Sequence, residues 1–324
     1  MAVYLDNNAT TALDEAVLDV MLPYMREVTG NPSSVHRFGR LQKDAIEQAR
    51  ESVARLLGAR AEQVIFTSGG TESNNLLLNG FSQRLMQLDQ GGRIALSAIE
   101  HMSLLEPASH LSLPVDSIAV DGEGRVELSA IQQVVQDQTK LISVMAANNE
   151  TGVIQDLAPI IKFAGERGCF VHSDASQAAG KIPLNFIESG LDAMTVSAHK
   201  LYGPIGAGAL IIDKKLPITK LQFGGSQEKN LRAGTENVPA IVGFGKAAEL
   251  ACETLQQTCL HTRSLRDALE KGLKKLSVVS IFSETVDRLP NTVQFGVSGF
   301  DGETLLMQLD RKAIAVSSGS ACTS

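Results

Sequence analysis

Short, uninterrupted apolar runs that alternate with segments of helical periodicity constrain this chain more than any other feature. Such runs lie at residues 63–67, 93–97, 141–145, 169–173, 193–197 and 209–212. Continuous runs of this length suit strands covered on both faces. Between them, Ile46, Ala49, Val53, Leu56 and Leu57 fall on one helical face and Gly58 follows as a stop. Further helices begin near Thr71 and Leu157. This alternation predicts an α/β fold whose largely parallel, mixed sheet is sandwiched by helices. In such sheets ligands sit beyond the carboxyl ends of the strands.

The pattern changes after about residue 245. Residues 247–276 read as one long helical stretch, 278–282 and 292–295 as strands, the region around 304–306 as a short helix, and 314–316 as a strand. We therefore expect a large domain over residues 16–260 and a smaller α+β domain built from 1–15 and 261–324. The small domain reads as C-terminally truncated, since the sequence stops at Ser324, two residues after Cys322.

Composition narrows the function. The 324 residues are 44% hydrophobic, enough for a substantial core, and carry 29 Lys+Arg against 36 Asp+Glu for a net charge of −7. A mildly acidic chain without basic runs argues against direct nucleic-acid binding. No apolar stretch approaches the roughly 20 residues of a membrane helix, and the start shows no signal-peptide pattern. The four cysteines, Cys169, Cys252, Cys259 and Cys322, include no C-x-x-C pair. They suit a reducing cytoplasm.

Several strand ends carry chemistry. Ser197-Ala198-His199-Lys200 precedes Leu201-Tyr202-Gly203-Pro204. A lysine held there could form a Schiff base with an aldehyde cofactor, or be an ordinary solvated charge. Cys169-Phe170-Val171-His172-Ser173-Asp174-Ala175-Ser176-Gln177 delivers, at Asp174, a carboxylate that could pair with a protonated pyridine nitrogen, with Gln177 three residues on; the alternative is a helix cap. Phe66-Thr67-Ser68-Gly69-Gly70-Thr71-Glu72-Ser73-Asn74 is a strand, a glycine turn and a helix start. It is suited to phosphate, or is simply a capped turn. Glu100-His101 offers an imidazole that could stack on a flat ring, and Asn148-Asn149-Glu150-Thr151-Gly152 offers amide donors. Ser317-Ser318-Gly319-Ser320-Ala321-Cys322 places a thiol among small residues on a loop, where a thiolate could attack a substrate sulfur. Cys169 reads as a structural strand residue, and Cys252 and Cys259 as structural helix residues.

Together with Tyr4-Leu5-Asp6-Asn7-Asn8-Ala9-Thr10-Thr11, Gly30-Asn31-Pro32-Ser33-Ser34 and Arg232-Ala233-Gly234-Thr235, these segments resemble the NifS/IscS-type cysteine desulfurases along nearly the whole chain. These are class V aminotransferase-like, fold type I pyridoxal-phosphate enzymes. The resemblance implies pyridoxal 5'-phosphate as cofactor, with Lys200 carrying its Schiff base, Asp174 on the pyridine nitrogen, Gln177 on the phenolic oxygen and His101 stacked on the ring. Gly70, Thr71, Ser197 and His199 would bind the phosphate, and Asn149 would contact cofactor or substrate. Thr235 would reach the cofactor phosphate of a partner subunit, implying a homodimer. Lys200, His101 and Cys322 would be catalytic, with no metal. L-cysteine would yield L-alanine and a persulfide on Cys322. A scaffold protein or thiol carrier would collect the sulfur for iron–sulfur cluster assembly or for thiolation of cofactors and tRNA. In the family a segment beyond the Cys loop carries an Arg that grips the substrate carboxylate; this sequence includes no counterpart. A selenocysteine lyase and an aminotransferase are alternatives within the same fold, of which Cys322 disfavours transamination.

Overall fold

The computed structural model describes residues 2–319. Its elements, in chain order, are β1 (Val3–Tyr4), α1 (Glu15–Arg26), α2 (Arg37–Leu57), β2 (Val64–Thr67), α3 (Gly70–Gln87), β3 (Arg93–Ser97), α4 (Met102–Ser109) and β4 (Val115–Ile118). There follow α5 (Leu128–Val134), β5 (Thr139–Ser143), α6 (Leu157–Arg167), β6 (Phe170–Asp174), α7 (Phe186–Ser189), β7 (Ala193–Ser197), β8 (Gly208–Ile212), α8 (Val238–Leu273), β9 (Val279–Ile281), β10 (Phe295–Val297), α9 (Gly302–Asp310) and β11 (Ile314–Ala315).

The main sheet has seven strands in the order β2-β8-β7-β6-β5-β3-β4. Only β8 runs against the rest, pairing antiparallel with both β2 and β7. The mostly parallel sheet expected from the apolar runs is thus present, with β8 supplying its mixed character. Side chains alternate between two cores. Val64, Phe66, Ile142, Val171, Met194 and Ile211 pack on one face, beneath α1, α2, α6 and α8. Ile65, Leu96, Leu141, Leu210 and Ile212 pack on the other, beneath α3 and α4. Burial on both faces is why these strands read as continuous apolar runs.

Helix ends follow local chemistry. Gly58 closes α2 in the left-handed conformation at φ 59, and Asp156 caps α6 through Ala158 N–H. The long helix α8 starts at Val238, nine residues before the expected stretch, because Asn237 caps it and Pro239 occupies its first turn. It runs unbroken through residues 260–261. Beyond it, β9 pairs antiparallel with β10, and β1 pairs parallel with β11. The N-terminal segment is thereby tied to the last described strand. The strand expected at 292–295 lies at Phe295–Val297, since Thr292 and Asn291 are drawn into side-chain bonding with Asn8. Among the described residues, no helix is long and apolar enough to cross a membrane.

Candidate active site

The carboxyl ends of β2, β3, β5, β6 and β7 open on one cleft of about 220 Å³. Nine of the ten expected cofactor residues line it: Gly70, Thr71, His101, Asn149, Asp174, Gln177, Ser197, His199 and Lys200. The tenth, Thr235, is exposed and does not line this cleft. Cys322 lies outside the described residues. Ser317 and Gly319, at the start of its segment, form part of the cleft wall, and the Ser317 hydroxyl donates to Asp6 Oδ1 at 2.6 Å.

One end of the cleft is built for an anion. β2 stops at Thr67, and Gly69 adopts φ 157 and ψ −178, a conformation that suits glycine, before α3 begins at Gly70. The helix therefore aims its first free N–H groups into the cleft. A Cβ on Gly208 would lie 2.6 Å from the Gly69 Cα, so β8 can pass only as glycine. Around this turn, the Ser176 and Ser197 hydroxyls are buried and have no hydrogen-bond partner. A Cβ on Gly70 would come within 3.3 Å of Ser176 Oγ. Two orphaned hydroxyls beside a helix start are the donor set a phosphate needs.

The other end carries a buried carboxylate. Asp174 ends β6 and is 7% exposed. Its Oδ2 accepts from Asn74 Nδ2 at 2.8 Å, and its Oδ1 from Ser176 N–H at 2.9 Å. Asn74 Nδ2 also donates to Ser103 Oγ at 2.8 Å. Ser103 N–H in turn donates to His101 Nδ1 at 3.1 Å. That acceptor role leaves the His101 ring proton on Nε2, facing away from the cap it forms on α4. Burial lowers the His101 pKa, opposed by the Asp174 charge and assisted by that of Lys200. The ring is therefore held neutral. Burial and then the Lys200 charge push His199 down to about 4. Its Nδ1 lies 3.1 Å from Thr10 Oγ1.

Lys200 stands at the end of a single 3-10 turn after β7. Its Nζ donates to the carbonyls of Asn8 at 2.5 Å and Ala9 at 2.7 Å. The N-terminal segment clamps this turn: Thr11 N–H donates to His199 O, and Tyr202 N–H to Thr11 Oγ1. Gln177 Nε2 donates to Asn8 O at 2.8 Å, and its Oε1 accepts from Lys181 at 2.8 Å.

Sequence reasoning overlooked Asn74, Ser103, Ser176, Asn8 and Lys181. Asn8, Asn74 and Ser176 carried a signal, lying inside segments already singled out. Of the cysteines read as structural, Cys169 is buried and Cys259 half-buried, whereas Cys252 is exposed, because α8 leaves that face uncovered by other elements. No group of three or more His, Cys, Asp or Glu suited to a metal occurs among the described residues.

The class-V aminotransferase family matches residues 3–324. A cysteine desulfurase IscS of Dictyoglomus turgidum is 43% identical over 99% of this chain and 82% of its own length. A cysteine desulfurase IscS of Methanosarcina thermophila is 41% identical over the whole of this chain and 80% of its own. Among solved structures, a NifS-like protein superposes with a TM-score of 0.94 at 38% identity, covering 98% of this chain and 88% of that one. SspA in complex with cysteine superposes with a TM-score of 0.86 at 29% identity, covering 99% and 90%. A sheet-edge cleft with a lysine, a buried carboxylate and an anion-binding turn, set in this fold and at these identities, makes the chain a member of the class-V aminotransferase family on its cysteine desulfurase branch.

Proposed function

We propose that this cleft holds pyridoxal 5'-phosphate and removes sulfur from L-cysteine, giving L-alanine and a persulfide on Cys322. The observation that carries the assignment is the convergence of Lys200, Asp174, His101 and the Gly70–Thr71 helix start on one cleft. The Gly69–Thr71 backbone, Ser176 and Ser197 suit the cofactor phosphate, Asp174 its ring nitrogen, and Lys200 its aldehyde. When bound, the cofactor supplies an electron sink for the pair left on the substrate α-carbon.

The residues of this chain do the rest. Asp174, oriented by Asn74 and Ser176, keeps a negative charge against the ring nitrogen. Neutral His101 presents a flat face and a single N–H. With the cofactor held there, the Lys200 amine would be the base for the substrate α-proton, and the Asn8 and Ala9 carbonyls hold it at the cleft. Asn149 offers an amide to the substrate. The Cys322 thiolate would attack the substrate sulfur, so that an S–S bond forms as the substrate Cβ–S bond breaks with its electron pair staying on carbon, and that carbon takes up a proton to leave as L-alanine. A scaffold protein or thiol carrier then takes the persulfide sulfur, for iron–sulfur cluster assembly or thiolation, in the reducing cytoplasm. The exposed Thr235 is assigned to the cofactor phosphate of the second copy in a homodimer.

Borohydride reduction of the chain loaded with pyridoxal phosphate, followed by peptide mass spectrometry, tests the cofactor site. The label is expected on Lys200 and lost in Lys200→Ala. Labelling of a different lysine contradicts the assignment.

A further inference from the structure

The half-buried Lys181 has no part in the reaction as set out above, yet the structure joins it through Gln177 and Asn8 to Lys200. Lys181 Nζ donates to Gln177 Oε1 at 2.8 Å and reaches Asn8 Oδ1 at 3.5 Å. Gln177 donates to the same Asn8 carbonyl that accepts from Lys200. Asn8 is fixed from the far side as well: Asn291 Nδ2 donates to its Oδ1 at 3.0 Å, and its own Nδ2 donates to Thr292 Oγ1 at 2.9 Å. Both lysines also line a second cavity of about 350 Å³, behind the first, between the N-terminal segment and α8. Two lysine amines thus share one asparagine, inside the protein, and among the described residues no carboxylate is bonded to Lys181.

We propose that Lys181 is a positioning residue for the reaction: through Gln177 and Asn8 it fixes the seat of the Lys200 nitrogen, and its like charge disfavours a proton on that nitrogen. This rests on the reading of Lys200 as the cofactor lysine. A lysine that must act as a base is useful only when its nitrogen can release its proton, and a neighbouring cation promotes that release. Burial first, and the Lys200 charge second, push Lys181 itself down to about 7. The repulsion is mutual and acts below about pH 7, where Lys181 keeps its own proton. The other titratable groups facing Lys181 across the second cavity are Asp14, Tyr202 and Cys259. Those facing Lys200 in the first, among the described residues, are Asp6, His101, Asp174 and His199. None of them contributes to the displacement of Lys181, which leaves Lys200 as its electrostatic partner.

The test is a pH titration of the visible absorbance of the loaded protein, which reports the proton on the Lys200 nitrogen. Lys181→Met is expected to raise the midpoint by about one pH unit. Lys181→Arg, which keeps the charge, should stay near the original midpoint. The acid limb of kcat/KM should move with it. A purely structural role would lower cofactor content or thermal stability and leave the midpoint in place, and that result overturns the proposal. Should Lys181→Met fail to fold, Asn291→Asp sets a carboxylate on the other side of Asn8 and should raise the midpoint too; an unmoved midpoint there also overturns it. Lys200→Ala separates the two readings. If that variant keeps the visible band, the cofactor-lysine reading itself fails. If it loses the band while Lys181→Met leaves the midpoint unchanged, only the role of Lys181 fails.

Discussion

At the scale of single residues, the site depends on groups whose charge is set by burial. Glu100 is 5% exposed. Its Oε1 accepts from the Ser97 hydroxyl and from Met145 N–H, and its Oε2 is buried without a partner. Burial raises its pKa from 4.5 to about 8, with the Asp174 charge adding to the rise and the two hydrogen bonds opposing it. The folded chain therefore keeps a proton that the unfolded chain has lost between about 4.5 and 8. Stability from this group is complete below the lower value and declines as pH rises through the higher one. Glu100→Gln, which carries an amide donor where the protonated oxygen lies, should flatten that decline. Urea midpoints measured across this window check it; a slope equal to that of the parent chain contradicts it. The same residue shows the reach of sequence reading. The pair Glu100-His101 drew attention for its imidazole, and nothing in the linear pattern says that the glutamate turns inward. Asp174 and Lys200 were legible because each ends an apolar run, which fixes its place at the sheet edge. Asn74 and Ser103 were not, because their roles arise only when α3 and α4 pack over β6.

At the scale of elements, glycines record how closely neighbours approach. Gly245 on α8 faces α2, where an added Cβ would lie 2.6 Å from the Ala49 Cβ and Cα. Gly245→Ala should destabilise the chain by about 1–3 kcal/mol through overpacking. Gly272→Ala, on the same helix with open space around it, should be neutral or stabilise by up to about 1 kcal/mol. Denaturant midpoints of the two variants check both, and equal effects would contradict the packing argument. Strand positions were legible to within two residues for six of the seven main-sheet strands, because burial on both faces makes the run apolar throughout. β4 escaped notice: Val115-Asp116-Ser117-Ile118 is an edge strand whose Asp116 pairs with Arg93, so its sequence is half polar. The run at 141–145 carried the reading of β5 two residues too far, since Val144 and Met145 stay buried after the strand ends and look no different from it.

At the scale of the whole molecule, the proposed homodimer assigns the exposed Thr235 to the site of the second copy. A mixed dimer of one Lys200→Ala chain and one Thr235→Ala chain then contains one site with both residues intact. Co-purified heterodimers should recover about half of the parental activity per dimer, while Lys200→Ala homodimers stay inactive; no recovery would place Thr235 within its own subunit. The N-terminal segment was legible as a motif but not as a structure. Its contacts with Lys200, Gln177 and Thr292 join residues 169 to 284 positions apart, a relation that no local pattern encodes.

The central claim is that this cleft takes sulfur from L-cysteine onto Cys322. The measurement that tests it most directly is release of alanine and sulfide from L-cysteine, with pyridoxal phosphate and a reducing thiol supplied, for the parent chain, Lys200→Ala and Cys322→Ser. Equal amounts of both products from the parent, neither from Lys200→Ala, and no sulfur transfer from a Cys322→Ser chain that still binds cofactor are the predicted results. Sulfide released by Cys322→Ser at the parental rate would contradict the account.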